Sequence, residues 1–219
     1  TCYAYAKEKG LGEIESYALD LARHFVNDVE SVDGSRVIVE EYAWERVNID
    51  DAEHPHTWVR RGPEVRTTQV TVDGKGDAQK TWVVSGLKDL VVLKSTGSEF
   101  RGYLRDRYTT LGETSDRIMA TSLKAQWRHD GTDVDWGKSY DTTLQAMLDS
   151  FAGHHSLALQ HTLYEMGAAV INGQPGIAEI RFSAPNKHHF IYDLARFDIE
   201  NNNEVFHADD RPYGLIEAT

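Results

Sequence analysis

The sequence predicts an α+β protein in which antiparallel strands form a sheet and helices cover one of its faces. Amphipathic helical segments occur in blocks, separated from blocks of short segments rich in β-branched and aromatic residues. A glycine-rich turn at residues 74–76 joins two such segments as in a hairpin, so neighbouring strands are expected to run antiparallel. Blocks of strands and blocks of helices, without strict alternation, are typical of α+β proteins.

In the first half of the chain, the predicted elements are one helix and three strands. Residues 13–28, EIESYALDLARHFVND, have apolar residues at helical spacing and acidic residues in the first turn, which predicts an amphipathic helix. Residues 36–47 and 64–72 have the composition of strands, and residues 79–87 follow the glycine turn as the second strand of a hairpin. The polar residues 48–63 predict a long loop.

The second half predicts two strands, two helices and two further strands. The segments with the corresponding patterns are residues 87–96, 118–130, 141–151, 156–171, 177–185 and 188–194, with strand structure possible through 204–218. The first half would match this order of elements if one leading hairpin and part of a helix were absent from it. We therefore expect two structural units, residues 1–86 and residues 87–219. A sheet covered on one face only must also bury its other face or its edges, which favours an oligomer.

Composition restricts the partners and the compartment. The formal net charge is −12, which argues against nucleic acid or an anionic membrane as a partner. The single cysteine, Cys2, excludes an intrachain disulfide and a multi-thiolate zinc site, and we expect it to be a small buried hydrophobic residue. No apolar run is long enough to span a membrane, so the sequence predicts a soluble, cytoplasmic protein.

The ten histidines raise the question of a metal site. His54 and His56 form an H-x-H pair, but no obvious third ligand accompanies them. Pairs at 154–155 and 188–189 could converge in the fold, so their spacing is compatible with a metal without being diagnostic of one. We expect no metal site, and neither a phosphate-binding loop nor a Ser-His-acid arrangement stands out.

The polar connection LKSTGSEFRGYLRDRYTTLGETSDRI, residues 93–118, resembles the signature of urate oxidase (uricase). Loops of this length are more often functional or disordered, and the aromatic residues in this one favour function. The resemblance continues in SLALQHTLYEMG, PNKHHF and DRPYGLIEAT, which together with residues 93–118 make four separated motifs in the expected order across essentially the whole chain. It implies a tunnelling fold (T-fold) of tandem ββααββ units, in which subunits pair to close a barrel and two such dimers stack into a homotetramer.

The resemblance also implies the reaction: oxidation of urate by O2 and water to 5-hydroxyisourate and hydrogen peroxide, without a cofactor. The residues it implies as substrate-binding are Phe100, Arg117, Leu159, Gln160 and Asn186, those lining the pocket are Leu111 and Ile216, and the catalytic pair is Asn186 and His188. In this scheme Asn186 holds the oxygen species and His188 belongs to a proton relay.

The chemistry of these side chains suits a flat, anionic, purine-like substrate. The planar donor fork of Arg117 can bind oxygen and ring nitrogen in the substrate plane, although a salt bridge to Asp116 or Glu113 is the commoner use of a loop arginine. The carboxamide of Gln160 can match the edge of a cyclic imide, and a helix capped by Ser156 would place it in the first turn. An exposed helix glutamine is the ordinary alternative.

The segment SAPNKHHF, residues 183–190, is interpreted through strand alternation. Asn186 and His188 share one face of a strand, and Lys187 and His189 then face the other way. The resemblance implies further relay members, a lysine and a threonine-aspartate pair, upstream of Thr1. If they are absent we expect urate to bind but oxidation to be impaired, so a truncated or non-catalytic chain that binds purines or only assembles is the alternative function.

Overall fold

The computed structural model describes residues 1–62 and 64–219. The helices are α1 (Cys2–Lys9), α2 (Ile14–Asp28), α3 (Trp136–Gly153) and α4 (Leu159–Gly173). The strands are β1 (Gly34–Glu41), β2 (Trp44–Ile49), β3 (Ala52–Arg60), β4 (Val65–Asp73), β5 (Lys80–Lys94), β6 (Met119–His129), β7 (Ile177–Ile191), β8 (Phe206–Asp209) and β9 (Leu215–Ala218).

The main sheet has the order β1-β4-β5-β6-β7-β8, and β9 also pairs with β7. Every pairing between these strands is antiparallel. Strands β2 and β3 form a separate antiparallel hairpin. The predicted α+β class with an antiparallel sheet is confirmed.

Helices α2, α3 and α4 cover the same face of this sheet. Val70 of β4 lies opposite Val83 of β5, and both are buried with residues of α2. Two positions further along β5, Ser85 lies opposite Trp127, which is buried against α3 and α4. Because side chains at alternate positions of a strand share a face, both core clusters lie on one side of the sheet.

A bulge in β5 keeps two leucines on that side. Leu87 lies opposite Ala125 and Leu90 opposite Leu123, so an extra residue is accommodated between the leucines. Asp89 takes the left-handed conformation there, with φ of 64°, which aspartate tolerates better than most residues. The expected boundary between residues 86 and 87 falls at this bulge, inside one continuous strand. The division into two units stays a prediction.

A buried polar cluster ties α2 to the sheet. Glu15 is fully buried, its Oε1 accepts a hydrogen bond from Ser85 Oγ at 2.7 Å, and its Oε2 accepts one from Arg66 Nη2 at 2.7 Å. Burial raises the pKa of Glu15, while Ser85 and Arg66 oppose that rise. His129 Nε2 lies 3.1 Å from Ser85 Oγ, and burial lowers the pKa of His129 to about 4, so this imidazole is neutral at pH 7.

The structure contradicts the expected loop at residues 48–63, the single strand expected at residues 36–47, which divides between β1 and β2, and the expected burial of Cys2. The predicted loop at residues 48–63 contains strand β3, because both faces of the β2-β3 hairpin are largely exposed and its sequence therefore lacks the alternation that marks a half-buried strand. Cys2 is exposed instead of buried, since α1 has no buried residue. Within the described part of the chain, no helix combines the length and the apolar character needed to cross a membrane.

Candidate active site

One cleft of about 370 Å³ brings together all eight residues proposed from the sequence. They are Phe100, Leu111, Arg117, Leu159, Gln160, Asn186, His188 and Ile216. The cleft lies beyond the N-terminal end of α4, between that helix, strands β7 and β9, and the connection from β5 to β6. Residues far apart in sequence thus line one pocket, while their individual roles stay predictions.

Strand β7 supplies the floor of the cleft. Phe182 and Ala184 are buried on the helix side of the sheet, and alternation places Asn186 and His188 on that same side. Ile216 of β9 lies opposite Ala184, which brings the end of the chain to the cleft. Asn186 is fixed through its backbone, whose N–H donates to Gly214 O at 2.8 Å. Its carboxamide is therefore carried by an anchored strand.

The tautomer of His188 follows from its hydrogen bond. His188 Nε2 lies 2.9 Å from the carbonyl oxygen of Pro212, and its ring stacks on Phe190 with the centroids 5.6 Å apart. A carbonyl oxygen only accepts hydrogen bonds, so Nε2 carries the proton and Nδ1 of the neutral ring is an acceptor. Nδ1 of His188 has no hydrogen-bond partner within residues 1–62 and 64–219, so it can accept a proton.

The neighbouring His189 departs from the expected alternation. Lys187 and His189 line a second depression on the other side of β7, but His189 also contributes to the active-site cleft. Its Nδ1 lies 3.1 Å from the carbonyl oxygen of Lys187. The strand ends near Ile191, so alternation is a weaker guide here than in the middle of the sheet.

Arg117 forms the opposite wall and lacks a counter-ion. Among residues 1–62 and 64–219, no carboxylate oxygen lies within 4.0 Å of its guanidinium nitrogens, and its buried Nε has no hydrogen-bond partner. Burial lowers the pKa of Arg117, although an arginine stays charged in proteins. The alternative of a salt bridge to Asp116 or Glu113 is therefore wrong. A partly buried, uncompensated guanidinium facing a cleft favours an anionic ligand.

The connection that carries Arg117 is folded into a compact aromatic wall. Phe100 and Thr114 form a bridge with two backbone hydrogen bonds, at 2.9 and 3.1 Å. The Phe100 ring stacks on Tyr103 at 4.6 Å between centroids, and the Arg117 guanidinium carbon lies 5.1 Å from the Phe100 centroid. Phe100 is thereby held beside the guanidinium, and its ring lines the cleft.

The N-terminus of α4 forms the third wall. The helix begins at Leu159, and its first backbone bond is donated by Thr162 N to Ala158 O at 3.1 Å. The preceding N–H groups of Leu159 and Gln160 are therefore left for a ligand or for solvent. Ser156, considered as a cap from the sequence, does not cap the helix, because Ala158 is the N-cap. Gln160 nevertheless lies in the first turn, as expected.

Five cleft residues were not proposed as site residues from the sequence. They are Gly112, Thr114, Ile118, His189 and Phe190. Thr114 and Ile118 belong to the motif that carries the resemblance, so proximity to Arg117 was the available signal. No group of three or more His, Cys, Asp or Glu side chains is placed to hold a metal ion, as far as the described residues show.

Comparison with known proteins gives the family. A family model described as Uricase matches residues 1–71 and 83–217 of the chain. The chain belongs to the uricase family. A uricase from Arthrobacter globiformis is 48% identical over 219 residues, which is all of this chain and 70% of that protein. A uricase from Dictyostelium discoideum is 35% identical over the same length and 75% of that protein is covered.

Solved uricase structures confirm the fold. The crystal structure of the Arthrobacter globiformis uricase superposes with a TM-score of 0.90 at 47% identity, covering 99% of this chain and 72% of that one. A uricase from Bacillus fastidious has a TM-score of 0.77 at 22% identity, with 94% and 66% covered. The predicted T-fold of the uricase family is therefore confirmed.

Proposed function

We propose that this cleft binds the urate anion and that the chain oxidises it with O2 and water to 5-hydroxyisourate and hydrogen peroxide, without a cofactor. Membership of the uricase family supports the reaction class. The observation that carries the proposal is the uncompensated guanidinium of Arg117 beside the face of Phe100. A flat anion bound in the cleft beside both groups would supply the missing charge and a stacking partner.

Three groups would hold urate in one plane. The fork of Arg117 binds one edge of the purine through its oxygen and ring nitrogen. The amide of Gln160 and the free N–H of Leu159 bind the opposite edge, where the helix N-terminus also favours negative charge. Phe100 covers the ring, and the apolar side chains of Leu111 and Ile216 complete the walls. Such positioning fixes which face of the purine meets oxygen.

The remaining chemistry needs an oxygen site and a proton acceptor. Urate gives up two electrons to O2, a peroxide forms on C5, and its loss as hydrogen peroxide with addition of water at C5 gives 5-hydroxyisourate. Urate, O2 and water thus balance against the two products. The Asn186 carboxamide would hold O2 or water above the ring, and Nδ1 of His188 would take and return the proton.

We also propose that the chain works as a homotetramer, a dimer of dimers, in a reducing, cytoplasmic setting, with active sites at subunit interfaces. The sheet face away from the helices exposes large apolar side chains, among them Ile38, Trp82 and Val91, which are 64, 39 and 56% exposed. Association would cover such surface and the sheet edges. The two tandem units, residues 1–86 and 87–219, are part of this proposal.

The test measures urate binding and oxygen uptake separately. We expect the protein to bind urate under nitrogen and, in air, to consume one O2 for each urate lost. Arg117→Ala should weaken binding about a hundredfold, because truncating one partner of a buried charge pair costs on the order of 3 kcal/mol.

Arg101→Ala is the matched control for this measurement. Arg101 lies in the same connection, is exposed, and is 4.0 Å from Glu113, so its removal makes the same charge change outside the cleft. We expect it to leave urate binding within about twofold. Binding without oxygen uptake would instead support the non-catalytic alternative, and equal losses in both variants would contradict the site.

A further inference from the structure

The residue before Arg117 holds a backbone turn with its carboxylate. Asp116 Oδ2 accepts a hydrogen bond from Thr96 Oγ1 at 2.6 Å, and Oδ1 accepts bonds from the N–H groups of Gly97 at 2.9 Å and Ser98 at 3.4 Å. The Thr96 hydroxyl, with these backbone groups, lowers the pKa of Asp116. In the described ranges no Lys, Arg or His nitrogen lies within 4.0 Å of this carboxylate. Its contacts therefore hold the turn at residues 96–98 and do not form an ion pair.

The segment that Asp116 holds is paired on two sides. Arg117 N donates to Ser98 O at 2.8 Å. On the other side, Ser156 N donates to Gly97 O at 2.9 Å, and Glu99 N donates to Ser156 O at 2.8 Å. Residues 97–99 thus lie between the backbone of Arg117 and the segment that leads into α4.

Buried hydroxyl groups continue the connection into α4. Ser156 Oγ and Thr162 Oγ1 lie 2.7 Å apart, and both residues are fully buried. Thr162 follows Gln160 by two residues in the first turn of the helix. A chain of short hydrogen bonds therefore runs from the Arg117 wall of the cleft to the Gln160 wall.

We infer that Asp116 is a positioning residue, which sets the placement of the Arg117 guanidinium relative to Gln160 by holding residues 96–98. The inference rests on the proposed function, since the quantity that this spacing controls is the fit of the urate anion. A carboxylate suits the task because both of its oxygens accept, and the three donors of the turn converge on them.

Kinetics with urate provide the first test. We expect Asp116→Ala to raise KM about tenfold with a smaller change in kcat, because hydrogen bonds to a charged group are lost and Arg117 binds ground state and transition state alike. Asp116→Asn keeps one accepting oxygen and should recover part of the loss. In a protein that already carries Arg117→Lys, adding Asp116→Ala should raise KM by much less than tenfold, because the group that Asp116 positions is already changed.

Asp106→Ala is the matched control. Asp106 lies in the same connection, and its Oδ1 accepts bonds from Tyr108 N at 2.9 Å and Thr109 Oγ1 at 3.0 Å, away from the cleft. The charge change is the same, and we expect KM to stay within about twofold. An equal rise in both variants, or full additivity with Arg117→Lys, would overturn the inference.

Amide hydrogen exchange tests the same inference without urate, so it stays decisive even if the protein does not oxidise urate. Asp116→Ala should speed exchange in peptides covering 96–99 and 154–157, because the bonds that join them lose their anchor. Exchange in peptides from β4 should be unchanged. In Asp106→Ala, exchange should be unchanged in the peptides from β4 and in those covering 96–99 and 154–157. Unchanged exchange at 154–157 in Asp116→Ala would show that the two walls are not coupled through this carboxylate.

Discussion

Arg117 and His188 contribute different properties to the cleft. Arg117 supplies a fixed positive charge whose Nε has no partner among the described residues, whereas His188 supplies a nitrogen that can take up a proton. The first is suited to binding and the second to the chemical step. Substitutions at the two positions should therefore change different kinetic constants.

Replacement of His188 tests its proposed part in proton transfer. His188→Ala should lower kcat about a hundredfold with little change in KM, because general acid-base groups typically contribute at least that factor. Steady-state oxygen uptake with urate measures both constants. His207→Ala, an exposed histidine 3.3 Å from Asp209 on β8, is the control and should behave as the unchanged protein. A rise in KM without loss of kcat would assign His188 to binding instead.

The motif around Arg117 and the segment at Asn186 indicated the cleft residues from sequence. Nothing in the sequence showed that Asp116 would bond to the turn at residues 96–98 instead of to Arg117. Neighbouring opposite charges are commonly paired, and only the path of the backbone decides whether the side chains meet. The same limit applies to the tautomer of His188, which depends on the carbonyl of Pro212, 24 residues away.

At the scale of elements, α2 is joined to the sheet by the buried cluster of Glu15, Ser85, Arg66 and His129. His129 titrates at about 4 in the fold against an ordinary value of 6.5. The unfolded chain therefore binds a proton at higher pH than the folded one. The stability due to neutral His129 is fully present above pH 6.5 and is lost as the pH falls toward 4.

The lowered pKa of His129 gives a prediction for stability in acid. Between pH 7 and pH 5, protonation of His129 in the unfolded chain should lower the unfolding free energy by about 2 kcal/mol. The His129→Gln variant lacks this group, so its unfolding free energy should fall less over the same range. Glu15 acts in the opposite direction, because its raised pKa makes the folded state take up a proton first. Urea unfolding at the two pH values measures the difference. An identical pH dependence in both proteins would contradict the assignment.

Element boundaries were predictable where one face of the element is buried. Helix α2 and strands β4 and β6 follow their predicted ranges closely, because periodicity marks a buried face. Strand β3 was missed because neither face is buried. The continuity of β5 was also missed, since the bulge at Asp89 breaks the alternation that a single strand would show.

At the scale of the whole molecule, the sheet has one covered and one open face. Ile38 of the edge strand β1 points away from the helices, because its neighbours Val37 and Val39 pack on the α2 side. Edge strands and exposed apolar side chains are the surfaces through which such sheets associate. The proposed homotetramer uses this surface.

Introducing a charge at this edge tests the assembly. Ile38→Glu should shift the protein to smaller species in size-exclusion chromatography with light scattering, because a charge would be buried on association. Tyr164→Glu, on the outer side of α4 where Tyr164 is 70% exposed, is the control and should leave the mass unchanged. An unchanged mass for Ile38→Glu would place the contacts elsewhere.

The sequence by itself determined the α+β class, the order of most elements and, through its motifs, the uricase family. These properties depend on local periodicity and on residue types at fixed spacing. Only the tertiary structure decided that eight distant residues line one cleft, that Arg117 has no counter-ion there among the residues described, and that Asp116 holds the turn beside it. The physical reason is that counter-ions and hydrogen-bond partners are chosen by proximity in space, which strand register and the packing of α4 fix and local sequence does not.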